Sequence, residues 1–451
     1  MSFIQLKAQV DTTLIIQAIS DSFTYSAADY KKTYPFSDTM AFGTGYYDNV
    51  HTISTEIDSV KVAYDFSRKP FRQETCIKVR SSGKEQVLYV NFQESRCWFT
   101  RDYIETVTGE VSYEIPELYE LANVLYALTT SSKKNASRTH KKTRYYDIVQ
   151  LYFKKFKAHP LLKRLEFTDD PKGTREYYNF RDNSICFRVE NGKIVPNNQY
   201  FAVWGDIKDN YFGQLLPLIN DFYKKTKFNV FFTRQKPFYD SLLESVKKYM
   251  PARKMHQWLE KQFNRKFHSN RIVLSPLIWG SHGTQSFYWV SDPGDWFSEM
   301  IVFVSGDRGI GADDLLTEGQ KEGIASGILF TEIDHNYSNP VSYNYVKEIN
   351  SEFADREKWV KKIGDTEGYP AALDVFNEYI THGVYLLYAY DTFNNIDFEE
   401  IRKNRENLMV EQRGYIKFRE FFEALLKLYK NKKPNETLKE LYPAIIKTLS
   451  S

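Results

Sequence analysis

An α+β fold, with a small sheet and a mostly helical lobe, is predicted by the changes of hydrophobic period along the chain. Between about residues 52 and 113 the runs VKVAYDF, TCIKVRS, QVLYVNF and SRCWFT are short, β-branched and aromatic, and polar turns such as Gly83-Lys84 split them. The period then becomes helical, returns to strand-like in RIVLSPLIWG, TQSFYWVS and SEMIVFVSG (271–306), and is helical again to the C-terminus. A chain of 451 residues is long for one small domain. The expected division is an N-terminal, largely β region with flanking helices over 1–130, a flexible basic loop over 131–144 and a large domain over 145–451.

Taken in order, VDTTLIIQAISDSF (10–23) has apolar residues at helical spacing after an Asp11 cap and predicts a short helix. After the β unit, Ile115-Pro116-Glu117 opens the helix PELYELANVLYALT, with proline at its first position. The segment SSKKNASRTHKKTR (131–144) is polar and basic and is expected to be a solvated loop. YYDIVQLYFKKFKAH, FGQLLPLINDFYKKTK, FYDSLLESVKKYM and MHQWLEKQFN follow as amphipathic helices with lysines on the far side. The three strands of 271–306 lead into a helix through GIASGILFTEIDHNYSNP (323–340), which should end near Pro340 because the residue before a proline resists helical geometry. Further helices are expected at roughly 342–350, 371–391, 397–409, 415–431 and 435–449. No internal repeat is visible.

The composition excludes several classes. Hydrophobic residues make up 42% and charged residues 26%, as in a soluble globular protein. The aromatic share is 16%, with 33 Tyr and 33 Phe, which predicts a large packed interior or an exposed aromatic surface for polymers or peptides, the interior being the first expectation. A net charge of +3 is too mild to indicate nucleic acid as a partner. Cys76, Cys97 and Cys186 have no metal-knuckle spacing and imply no disulfide framework, although Cys76 and Cys97 could face each other across adjacent strands. No stretch reaches the roughly 18 apolar residues of a membrane span. The opening MSFIQLKAQVDTTLIIQAIS, with one lysine and a broken apolar run, does not read as a signal peptide, so a cytoplasmic protein is expected unless an export signal has been removed.

One stretch carries recognisable chemistry. Thr331-Glu332-Ile333-Asp334-His335 has the frame of the helical motif H-E-x-x-H, with Thr331 where the first His belongs. Residues four apart share a helix face, so two histidines in that frame bind one Zn²⁺ while the Glu activates the metal-bound water. A neutral hydroxyl is a poor zinc ligand. A further carboxylate, Glu378, lies 43 positions past His335 on the apolar helix ALDVFNEYITHGVYLLYAY. A carboxylate among such neighbours is costly unless it is paired or metal-bound. His382 shares its face four residues on, as a substitute ligand or a hydrogen-bond partner of Glu378. Asp334 is the poorer substitute, since it points off the shared face. The loop Gly306-Asp307-Arg308-Gly309-Ile310-Gly311 has no Walker lysine. Of the remaining histidines (His51, His140, His159, His256, His268, His282), only His282 lies near the expected sheet. Serine and cysteine nucleophile elbows are absent.

The chain resembles a bacterial family of zincin-like, gluzincin-type metallopeptidase relatives classed as a domain of unknown function. The resemblance is carried by IPELYELANVLYALT, YYDIVQLYFKKFKAHP, KFNVFFTRQKPFYD, WLEKQF, RIVLSPLIWG, FTEIDHNYSNP and NEYITHGVYLLY, and extends from about residue 115 onward. It implies a zincin-like domain in which Glu332 falls on the general base, His335 on the second zinc ligand and Glu378 on the third, with Asn339-Pro340 closing the block. It also implies that EMIVFVSG (299–306) is a sheet edge that receives an extended substrate by strand addition. The chain departs from the pattern at Thr331 and at His382, which stands where an Arg is expected. Loss of a ligand costs at least the upper end of a 10–100-fold range, roughly 2.7 kcal/mol. The expectation is therefore weak or absent zinc, reduced or lost hydrolysis (a pseudoenzyme) and a retained cleft for peptide or polymer. A Thr331→His variant is expected to gain zinc affinity. The alternatives are an active zinc metallopeptidase that uses His335, Glu378 and His382 or Asp334, and a non-enzymatic surface or scaffold protein.

Overall fold

The computed structural model describes residues 96–448, apart from residues 206, 293, 294 and 307, and before them the strands Phe3–Leu6, Thr13–Gln17, Ser22–Ala27, Tyr30–Pro35, Thr52–Ile57, Val60–Asp65, Gln73–Ser81 and Lys84–Phe92. The helix expected over 10–23 is not formed: Thr13–Gln17 is a strand that pairs with Gln73–Ser81, as its β-branched run suits a pleated surface. The expected runs VKVAYDF, TCIKVRS and QVLYVNF fall on the strands Val60–Asp65, Gln73–Ser81 and Lys84–Phe92, and Cys76 stands opposite Thr13 and Tyr89, not Cys97. Within the part that is described, the strand-like run SRCWFT gives one isolated bridge, Cys97 to Tyr200. The helix Arg101–Val107 then replaces the expected strand. Thr100 caps it by accepting from the Tyr103 N–H at 3.3 Å, and Asp102 sits in its first turn, so end chemistry overrides β propensity here.

Strand β1 (Val111–Glu114) leads into helix α1 (Glu117–Ala127), whose residues from Leu118 onward are all buried. Pro116 takes the cap position, one residue before the helix. The segment 131–144, expected to be a solvated loop, is instead built into the fold. It contains the short helix Thr130–Lys134, and Arg138 and Thr139 are buried. The Arg138 guanidinium donates to Thr168 O at 3.0 Å and Thr174 Oγ1 at 2.9 Å, so part of its basic charge serves as internal cement. Helices α2 (Pro171–Asp182), α3 (Phe228–Tyr249) and α4 (Ala252–Phe263) follow, with a hairpin over 187–196 after α2.

The main sheet adds β2 (Ser269–Leu274), β3 (Gly283–Asp292) and β4 (Asp295–Val304) to β1, in the order β3-β4-β2-β1. Strand β2 runs parallel to both neighbours, with Ile272 opposite Val302 and Tyr113, whereas β3 is antiparallel to β4. Ile272, Leu274, Met300, Val302 and Val304 join the main core, and Val273, Ile301 and Phe303 face a second cluster with Phe99 and Tyr200. Burial on both faces explains the near-continuous apolar runs of β2 and β4. It also corrects the expected edge: β4, which contains most of EMIVFVSG, is interior, and the edge is β3, whose Thr284, Gln285 and Ser286 suit a half-exposed position.

Helix α5 (Glu318–Ser342) carries the T-E-x-x-H frame. Thr317 and Gln320 form a capping box at its start. Pro340 does not end it: the proline removes one N–H in the last turn, the helix runs to Ser342, and the Tyr343 N–H closes on Asn339 O. The helical lobe comprises α6 (Ala372–Thr392), α7 (Asn395–Asn407), a π turn over Leu408–Gln412, α8 (Phe418–Lys430) and α9 (Leu438–Thr448). No helix among the described residues is long and apolar enough to cross a membrane.

Candidate functional site

The site is organised by a glycine ladder on α5. Gly319, Gly323 and Gly327 recur every four residues and continue into Thr331 and His335 on about the same face. The ladder receives α7. A Cβ at Gly323 would overlap Ile401, and one at Gly327 would overlap the Arg405 guanidinium. Asp397, Ile401 and Arg405 thus descend α7 in step with the glycines, and Asp397 Oδ1 accepts from Thr317 Oγ1 at 2.6 Å. The Arg405 guanidinium rests 4.4 Å from the Tyr385 ring centre, and the Tyr385 hydroxyl donates to Gly323 O.

Thr331 is buried, and its hydroxyl has local acceptors, Ile328 O at 3.0 Å and Gly327 O at 3.2 Å. His335 is partly exposed; its Nε2 lies 3.6 Å from Glu378 Oε1 and its Nδ1 3.3 Å from Asn339 Oδ1. Glu378, 4% exposed, accepts from Arg413 Nη2 at 2.8 Å, with His382 Nε2 3.7 Å from the same oxygen. Burial alone would raise the Glu378 carboxyl, but Arg413, His382 and His335 outweigh it and hold the group well below its ordinary value. His382 lies between two cations, with Arg405 Nη1 3.0 Å from Nδ1 and Arg413 Nη1 2.6 Å from Nε2. A neutral imidazole has one acceptor nitrogen, so only one of these contacts is a hydrogen bond. Burial pushes His382 down to about 3, the two arginines add to this, and Glu378 opposes it.

Glu332 is half-buried, and its carboxylate accepts no hydrogen bond from the described residues. Burial raises it to about 7; Glu378 adds to the shift, while His335, Arg413 and Arg181 oppose it. Arg181 on α2 is fully buried, paired with Asp182 at 2.6 Å and donating to Ser281 O at 2.6 Å. His282, at the start of the edge strand, stands 3.0 Å from Arg308. Burial pushes it down to about 3, assisted by Arg308, Arg181 and Arg413. Arg308 lies over Trp279, 4.3 Å from the ring centre, and fixes the glycine-containing loop between β4 and α5.

The structure therefore brings Glu332, His335, Glu378 and His382 together. It sends Asp334 elsewhere: that carboxylate is fully buried and accepts from Ser338 Oγ at 2.7 Å. Sequence reasoning missed Arg405, Arg413 and Arg181. The glycine ladder signals the first, since a small-residue stripe announces a closely packed helix, but nothing along the sequence signals Arg413.

A zinc ion does not fit this donor set. Thr331 spends its hydroxyl on backbone carbonyls, both nitrogens of His382 face guanidinium groups, and only His335 and Glu378 remain within reach of each other. Among the described residues, no three His, Cys, Asp or Glu side chains are grouped to hold a metal. No family model, curated protein or solved structure matches the chain.

Proposed function

We propose that this protein is a zincin-like, metallopeptidase-type scaffold with a degenerate zinc site, which binds an extended peptide or polymer with hydrolysis reduced or lost. The observation that carries the reading is the meeting of His335 and Glu378. Residues 43 apart, on α5 and α6, approach to 3.6 Å, as ligand positions of the H-E-x-x-H…E pattern must. Thr331 stands one turn before His335, at the position whose ligand is missing.

The binding surface in this reading is the edge strand β3. Its outer edge pairs with no strand among the described residues; the Cys97 thiol lies 3.8 Å from Tyr288 O, and Arg96 donates to Gln285 Oε1 at 3.3 Å. Asn336, beside His335, donates to Thr284 Oγ1 at 2.7 Å and ties the edge to the candidate catalytic helix. A peptide added to β3 would pair with backbone groups of residues 283–287 and run past Glu332 and His335. The test is amide hydrogen exchange across residues 283–288 with and without unstructured peptides, together with zinc analysis of the purified protein. Protection of those amides, without stoichiometric zinc or chelator-sensitive cleavage, is expected. Unchanged exchange at β3 with every peptide would end the reading.

A further inference from the structure

Two cations of the helical lobe meet around His382, one of them paired with Glu378. Arg413 Nη2 is bonded to Glu378 at 2.8 Å and its Nη1 lies 2.6 Å from His382 Nε2, while Arg405 Nη1 lies 3.0 Å from Nδ1 of the same imidazole. We propose that the Arg413 guanidinium is the resident cation of this site, so that the protein is built to work without metal and the loss of a ligand at Thr331 is only one of two barriers to zinc. The inference rests on the reading above, in which 331, 335 and 378 are the ligand positions.

Three features support it. A carboxylate buried as deeply as Glu378 requires a counter-charge, and a planar guanidinium supplies charge and directed N–H donors together, as a metal supplies charge and coordination. Arg413 is held in place by its own surroundings. It closes the π turn after α7 with its N–H on Leu408 O at 2.9 Å, its side chain passes Met409 Sδ at 3.6 Å, and its guanidinium lies 5.2 Å from the Tyr415 ring centre. The companion cation is equally built in, since the absent Cβ at Gly327 is the space that Arg405 fills. A divalent ion coordinated by Glu378 would stand against Arg413 and beside Arg405, so like charge excludes it whatever residue occupies position 331.

While Arg413 neutralises Glu378, restoring the first histidine does not by itself restore zinc, which replaces the expectation from the sequence that Thr331→His alone would gain it. Wild type, Thr331→His, Thr331→His/Arg413→Met and Thr331→His/Arg413→Lys proteins are titrated with Zn²⁺ against a chromophoric chelator. Wild type and Thr331→His should show no stoichiometric binding. The methionine double variant should bind about 100-fold tighter or better than Thr331→His, and zinc should raise its melting temperature. The lysine double variant should stay with Thr331→His, because its charge remains. Stoichiometric zinc in Thr331→His alone overturns the proposal, and so does a folded methionine variant that binds no better than the single. If removal of Arg413 prevents folding, the single and the lysine variant still decide, since tight zinc in either refutes exclusion by charge. Peptide protection of β3, measured on the wild type, separates the two readings: its absence sinks the proposed function, whereas the zinc titrations sink only the inference.

Discussion

Substituting Gly327 by alanine tests the packing on which the site depends. In an isolated helix the change is favourable by about 1 kcal/mol, through helix propensity and a less flexible unfolded chain. Here the new methyl would overlap the Arg405 guanidinium and lie 3.2 Å from Tyr385 Cζ. Overpacking of this kind costs about 1–3 kcal/mol. Displacing Arg405 also removes its place on the Tyr385 ring, a cation–π contact worth about 0.5–2 kcal/mol, and its approach to His382. The balance is a net destabilisation of roughly 0.5–4 kcal/mol. Equilibrium urea unfolding, followed by near-ultraviolet circular dichroism, measures it. The control is Gly327→Ala/Arg405→Ala, in which the truncated side chain leaves room for the methyl. The two changes should couple, with the double variant less destabilised than the singles added together. A Gly327→Ala protein more stable than wild type by the propensity term alone would show that Arg405 swings away freely, and the ladder would then be no close-packing device.

Other substitutions probe separate links. Thr331→Val should cost no more than about 1 kcal/mol and leave peptide protection of β3 unchanged, because the hydroxyl serves only local carbonyls; a loss above about 2 kcal/mol in urea unfolding would contradict that. Thr284→Val leaves Asn336 without its oxygen acceptor at 2.7 Å and should speed amide exchange in residues 283–288, with about 1 kcal/mol lost; unaltered exchange would mean that the edge is not tied to α5. Glu120 supplies a pH signature. Burial raises it from 4.5 to about 8, against hydrogen bonds from Ser275 and Tyr145. The folded chain therefore holds a proton that the unfolded chain has released between those values. Its stabilising contribution is complete below about pH 4.5 and falls by about 1.4 kcal/mol per unit as pH rises toward 8. Glu120→Gln should flatten urea midpoints between pH 5 and 8, and an unchanged slope would show that Glu120 is ionised in the fold.

The sequence was most legible where one local rule governs. Period alone located α1, β2, β3, β4 and the C-terminal helices, because each has a face or a full surface to bury. It failed where two rules competed. Thr100 and Asp102 make a helix start that outweighs the aromatic run before it, and Pro340 is absorbed because a helix can spare one N–H in its last turn. The edge was assigned to the wrong strand for a related reason. Apolar content marks burial on both faces, so it points to the centre of a sheet, and the edge was in fact announced by the polar Thr284-Gln285-Ser286.

The site shows a sharper division. Spacing within one helix put Thr331, Glu332 and His335 on a face, and the expense of a lone buried carboxylate predicted that Glu378 would be neutralised by something. What neutralises it lies 35 residues further on, beyond α7 and a π turn, and no periodicity connects Arg413 to Glu378. A motif records where ligands belong but not which cation arrives. The same carboxylate can be satisfied by a divalent ion or by a guanidinium, and a buried carboxylate left with neither is strongly disfavoured. In this chain the guanidinium of Arg413 supplies that counter-charge to Glu378. With Arg413 in that place, and Gly327 leaving room for Arg405 beside it, a histidine introduced at 331 alone would meet a site already neutralised.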